Sequence, residues 1–177
     1  MKSIQYVGEH LWIHYTGHFL VCLAFFTALF ALTAFILNRK QFTNSWKKIL
    51  HWLFVIHLAC VFSIIGLIFY MMGQHYYEYN YVWAHVSDEL PTRYILSAFW
   101  EGQEGSFLLW MFWNCILGLF FFRFKSRFDH SILSIILAVN LILSSMLLGI
   151  YIGESRIGSS PFALLRHIMD IPLFNNA

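Results

Sequence analysis

Four apolar runs without a single Asp, Glu, Lys or Arg divide this chain: His18 to Leu37, Ile49 to Met72, Ser106 to Phe122 and Ser131 to Ile152. Each is long enough to cross a hydrocarbon core about 30 Å thick. None alternates apolar and polar residues as a membrane β-strand must, so α-helices are the remaining way to satisfy the backbone in lipid. The runs predict an all-α integral membrane protein with spans at about 18–37, 49–72, 106–122 and 131–152. A loop, 73–105, and a tail, 153–177, then lie on one side of a single membrane domain, 1–177. The first run follows Glu9 and ends in Asn38-Arg39-Lys40. It lacks the basic start and small-residue cleavage site of a signal peptide, and so predicts a span.

Composition agrees. Of 177 residues, 59% are hydrophobic and 11% charged, with mean hydropathy +0.64. Soluble domains run at about 45–50% apolar and about 25% charged. The net charge of +2, with no basic stripe, argues against a nucleic-acid partner and leaves the lipid bilayer as the surrounding phase. Cys22, Cys60 and Cys115 each sit inside an apolar run, with no C-x-x-C spacing. They predict small buried side chains rather than a redox pair.

Basic residues set the orientation. Arg39, Lys40, Lys47 and Lys48 lie between the first and second runs, and Arg123, Lys125 and Arg127 between the third and fourth. Those seven of the eleven Lys and Arg residues predict cytoplasmic short loops. Both termini, the long loop and the tail then face the periplasm. Trp12, Tyr15, Tyr70, Trp100 and Tyr151 fall at the expected outer interface, and Trp46 and Trp52 near the inner one. An aromatic girdle is therefore the expected role of the seven tryptophans.

Within the spans, His57, Asn114 and Asn140 fall at one level at about 1.5 Å rise per residue. They predict an interhelical hydrogen-bond layer. Metal or haem ligation is the alternative for a chain with nine histidines. His14 and His18 share a helical face, and His75 and His85 are in the loop. Only His57 is deep, whereas a buried b-type haem needs two facing histidines, so no self-contained haem b site or metal site is expected.

The sharpest local signal is Trp100-Glu101-Gly102-Gln103-Glu104-Gly105-Ser106, directly before Phe107-Leu108-Leu109-Trp110. Its carboxylates fall three residues apart where a membrane helix starts, and there the positive end of the helix dipole favours anions. Gly102 and Gly105 permit tight backbone geometry or close approach of another segment. The run Thr92 to Trp100, after Pro91, predicts a short interfacial helix. The segment is either an acidic helix entry without a reactive role or a packed outer-face platform that positions a ligand or partner, with no catalytic residue among its members.

Tyr81-Val82-Trp83-Ala84-His85, Leu90-Pro91-Thr92-Arg93-Tyr94 and Ser97-Ala98-Phe99-Trp100 through Trp110 together resemble the CcmF/NrfE/CcsA family of haem-handling membrane proteins in cytochrome c maturation. Gly17-His18-Phe19 and Ser159-Ser160-Pro161-Phe162 extend the resemblance over nearly the whole chain. It implies part of a cytochrome c haem lyase in the bacterial inner (cytoplasmic) membrane, with haem delivered to apocytochrome c beside other maturation membrane proteins. Family members are longer and carry a His-Pro-Pro motif and a tryptophan-rich segment after the region matched here. The chain thus resembles their N-terminal portion, and none of those ligand positions transfers to it. Alone it is not expected to catalyse the reaction. The resemblance directs attention to Trp100, Glu101, Gly102, Gln103, Glu104, Gly105 and Ser106 as the platform, and to His85 as a haem contact. A reading from a different class is a four-helix scaffold or accessory subunit of a respiratory or transport complex, with no haem contact.

Overall fold

The computed structural model describes residues 8–38, 43–123, 129–152 and 155–168. Arg39, Lys40, Lys125 and Arg127, which carry part of the orientation argument, lie outside the described residues. Helices α1 (Leu11–Asn38) and α2 (Asn44–Gly73) are followed by two short helices, α3 (Asn80–His85) and α4 (Ile95–Glu101). Next come α5 (Gln103–Arg123) and α6 (Asp129–Leu148), a hairpin of β1 (Ile150–Ile152) and β2 (Ser155–Ile157), and one helical turn, α7 (Leu165–Ile168). The four long helices α1, α2, α5 and α6 are long and apolar enough to cross a membrane. The chain is therefore a multi-pass helical membrane protein.

Two details depart from the expected layout. At 28 residues α1 is about 42 Å long at 1.5 Å per residue, and it starts at Leu11, ahead of the charge-free run. Helix α6 stops at Leu148, and Gly149 turns the chain with φ +66°. Ile150, Tyr151 and Ile152 then pair antiparallel with Ile157, Arg156 and Ser155. Among the described residues, the hairpin is the element that an all-α reading did not anticipate.

Helix packing follows from side-chain size. Six of the seven buried positions of α1, Ile13, Gly17, Val21, Ala24, Ala28 and Ala31, recur at three- and four-residue steps, with Thr27 beside them, and most are small. Opposite them α2 buries Leu50, Phe54, His57, Val61, Ile64, Ile68 and Met71 at the same period. Small residues let helix backbones approach, and in lipid that dispersion contact drives association. Helix α1 packs chiefly on α2 and α6, and α6 also on α5.

The expected polar layer forms in two separate parts. Asn114 Nδ2 donates to Asn140 Oδ1 at 3.1 Å, and Asn140 Nδ2 lies 3.8 Å from Cys115 Sγ. His57 is not joined to that pair. Its Nδ1 is 2.9 Å from the Ala24 carbonyl on α1, and its buried Nε2 has no partner among the described residues. Level alone did not determine contact, because His57 faces α1 across the α1–α2 seam. The three cysteines are free; Cys60 and Cys115 are buried as expected, whereas Cys22 is only half-buried.

Where α1 begins, the tail folds back over the bundle. Asn80 N donates to Ala163 O at 3.0 Å and Leu165 N to Glu78 O at 2.8 Å. Phe162 is fully buried, its ring filling the space a side chain at Gly17 would need. His14 Nδ1 donates to the Phe162 carbonyl at 2.8 Å, and Glu9 pairs with Arg166 at 2.9 Å. Phe162→Ala is expected to cost about 3 kcal/mol and to speed tryptic cleavage at Arg166. Thermal unfolding and limited proteolysis in detergent check both; unchanged cleavage would mean the ring does not hold the tail.

Candidate ligand-positioning site

Helices α4 and α5 would be one continuous helix but for Gly102, whose backbone is extended (φ −75°, ψ 152°). A helix end leaves carbonyls without partners, and two side chains supply donors here. Ser106 Oγ donates to the Trp100 carbonyl at 2.8 Å, and Tyr81 Oη donates to the Phe99 carbonyl. Ser106 N returns to the Gly102 carbonyl at 3.0 Å, which starts α5 immediately.

Both glycines are required by what lies against them. A Cβ on Gly105 would fall on the Phe99 carbonyl and the Tyr81 hydroxyl. A Cβ on Gly102 would come within 2.7 Å of Tyr81 Cε2 and 2.9 Å of His85 Nε2. The approaching segment is α3. Its Tyr81 and Val82 are buried, and the Tyr81 and His85 rings lie 4.6 Å apart. His85 Nδ1 lies 2.8 Å from the Tyr81 carbonyl. A carbonyl only accepts, so Nδ1 carries the proton and neutral His85 keeps its lone pair on Nε2.

Burial, then the Glu104 and Glu101 carboxylates, pushes the Tyr81 hydroxyl well above the usual phenol range, so it remains a donor. Nearby, Tyr77 Oη donates to Asp88 at 2.6 Å, and mainly that bond pushes its pKa up to about 12.

An open cleft of ≈ 450 Å³ runs beside α4, lined by His85, Leu90, Tyr94, Ser97, Trp100 and Glu101, with Ala98 at its floor. Its size is in the range of small-molecule sites. The sequence-predicted segment divides around it. Trp100, 46% exposed, and Glu101 line the cleft, while Gln103 points to the exterior. Gly102 and Gly105 are buried beneath. The two carboxylates do not share a helix start: Glu101 ends α4, and only Glu104 lies in the first turn of α5. The expected helix after Pro91 is present as a 3₁₀ turn, Thr92–Tyr94, running into α4.

The other histidines gather elsewhere. His14 and His18 have ring centroids 4.4 Å apart, and His167 lies 5.9 Å from His14. Ser160 Oγ is 3.3 Å from His18 Nδ1. Burial first, then Arg166 and His14, holds the His167 pKa below the usual histidine value. No group of three His, Cys, Asp or Glu side chains among the described residues could hold a metal ion.

A membrane helical bundle with a helix-covered end and a broken-helix platform is the class this architecture defines. No family model matches the chain. It is 34% identical over 116 residues to the cytochrome c-type biogenesis protein NrfE of Haemophilus influenzae, an alignment covering 63% of this chain and 17% of that protein. The fold matches a solved cytochrome c heme lyase CcmF with a TM-score of 0.73 at 17% identity, over 92% of this chain and 26% of that one. The chain is thus similar to a cytochrome c biogenesis protein and shares the fold of a solved CcmF, and it spans only a small part of the length of either.

Sequence reasoning assigned no role to Tyr81, although Gly102 and Gly105, three residues apart, signalled that another segment comes close. Tyr81→Phe is expected to lower stability by about 1–3 kcal/mol, since the buried Phe99 carbonyl loses its donor. The detergent melting curve reads this, and an unshifted midpoint would show that the carbonyl finds another partner.

Proposed function

We propose that this chain supplies the N-terminal membrane part of a cytochrome c biogenesis haem-lyase protein and supports haem delivery and attachment to apocytochrome c at the periplasmic face. The observation carrying this reading is the built character of the Trp100–Ser106 platform. Its backbone is fixed by hydrogen bonds from Tyr81 and Ser106, and its upper face forms one wall of a cleft. The platform lies at the end of the bundle opposite the short basic loops. By the basic-residue rule that end faces the periplasm of a bacterial inner membrane.

Haem is cargo in this reading, and the cleft suits a flat, largely apolar molecule. Leu90, Tyr94 and Trp100 offer apolar and aromatic surface, Ser97 and Glu101 the polar edge, and His85 an imidazole beside Gly102. These residues hold and orient; attachment is left to the remainder of the longer protein and to its partners, apocytochrome c and other maturation membrane proteins.

The first test is the absorbance spectrum of the detergent-purified chain with added haem. A Soret band lost in His85→Ala supports cargo binding at this cleft. A band that survives that change but is lost in a His14 or His18 variant moves the site to the tail cluster. A featureless spectrum rejects haem binding by this part alone. In a full-length context, Gly105→Leu is expected to lower c-type cytochrome levels strongly while leaving membrane insertion intact. Normal cytochrome levels in that variant would count against the platform.

A further inference from the structure

Helix α5 carries an exposed stripe of large side chains at steps of three, four and three: Trp110 (65% exposed), Trp113 (57%), Leu117 (50%) and Phe120 (57%). That period is the seam spacing of helices packed at shallow angles. Trp113 lies about 15 Å along α5 from Gln103 at 1.5 Å per residue, near the middle of a core about 30 Å thick. An interfacial girdle cannot account for it, because tryptophan favours the interface, where its indole N–H meets water and headgroups. Trp12 and Tyr70 fit a girdle, with rings 6.1 Å apart near the loop-bearing end. Trp113 contacts Phe112 edge-on, and neither Trp110 nor Trp113 has a hydrogen bond to another described residue. The neighbouring Asn114 amide is already directed at Asn140. Lipid tails offer an indole N–H no acceptor, and an unmet donor at that depth is costly.

We infer that the Trp110–Trp113–Leu117–Phe120 face is a docking seam for a transmembrane helix outside this chain's own four. The matched solved chain is roughly four times as long as the part covered here, since the alignment spans 26% of it, so such a protein has chain enough beyond this part to supply another helix. The bulk of the seam specifies the occupant's chemistry. It presents small residues opposite the two tryptophans and an oxygen acceptor, a Ser or Thr hydroxyl or a freed carbonyl, at the Trp113 level. This rests on the match to a longer protein and not on haem crossing the platform.

The test is photocrosslinking from p-benzoylphenylalanine at position 117, with position 142 as control, in a chain expressed from its own chromosomal locus. Ile142 is equally apolar and 61% exposed, on α6. The expected result is an adduct from 117, absent from 142, that maps by mass spectrometry to an apolar membrane helix of other sequence. Trp113→Phe, which keeps a ring and removes the N–H, is expected to reduce the yield from 117. An adduct with lipid only, or with a second copy of this chain, would overturn the docking seam. Unchanged yield in Trp113→Phe would overturn the matching acceptor. The haem spectrum is independent of all these outcomes.

Discussion

Hydrocarbon offers a peptide group no hydrogen-bond partner, and everything in this chain is arranged around that constraint. The four long helices meet it by bonding internally. Where a helix must stop near the membrane, side chains stand in for the missing turn. The α4–α5 break shows how local this is. One extended glycine ends a helix, and two hydroxyls, from Tyr81 and Ser106, take up the carbonyls it would strand. The platform is thus a consequence of interrupting a helix without leaving polar backbone unpaired.

The same economy of space governs the packing. Helix α1 contributes glycine and alanine where α2 contributes phenylalanine, isoleucine and methionine. At the loop-bearing end Gly17 receives the ring of Phe162, and Gly105 receives the Phe99 carbonyl and the Tyr81 hydroxyl. In each case a missing Cβ admits a segment distant in sequence. Close approach, more than hydrophobic surplus, gives this bundle its specificity, because lipid is already as apolar as leucine.

The long helices were legible because charge-free apolar length is a global property that survives any detail of packing. The W-x-G-x-E-G-S segment was legible as a place where backbones meet, since two glycines beside a helix start announce crowding. What they meet was not. Tyr81 lies 18 residues before Phe99, and nothing in a linear pattern says that its hydroxyl completes the α4 end. His57 was grouped with Asn114 and Asn140 by level but bonds to Ala24 on α1 instead, because level follows from counting residues while azimuth follows from packing. The β-hairpin escaped for a related reason. Ile150–Ile152 are as apolar as a span, and only the turn at Gly149 separates them from one.

The tail and the platform are one construction. From Phe162, seated at Gly17, the chain passes through two backbone hydrogen bonds to the residues flanking Tyr79, which is itself fully buried and donates to the His10 carbonyl at 2.6 Å. Two residues further on, Tyr81 reaches the α4–α5 break, and His85 is fixed by the Tyr81 carbonyl. Each link is a short-range bond between rigid pieces. The polar contacts that seat the tail, His14 to Phe162 and Glu9 to Arg166, thus stand at one end of a bonded series whose other end is His85.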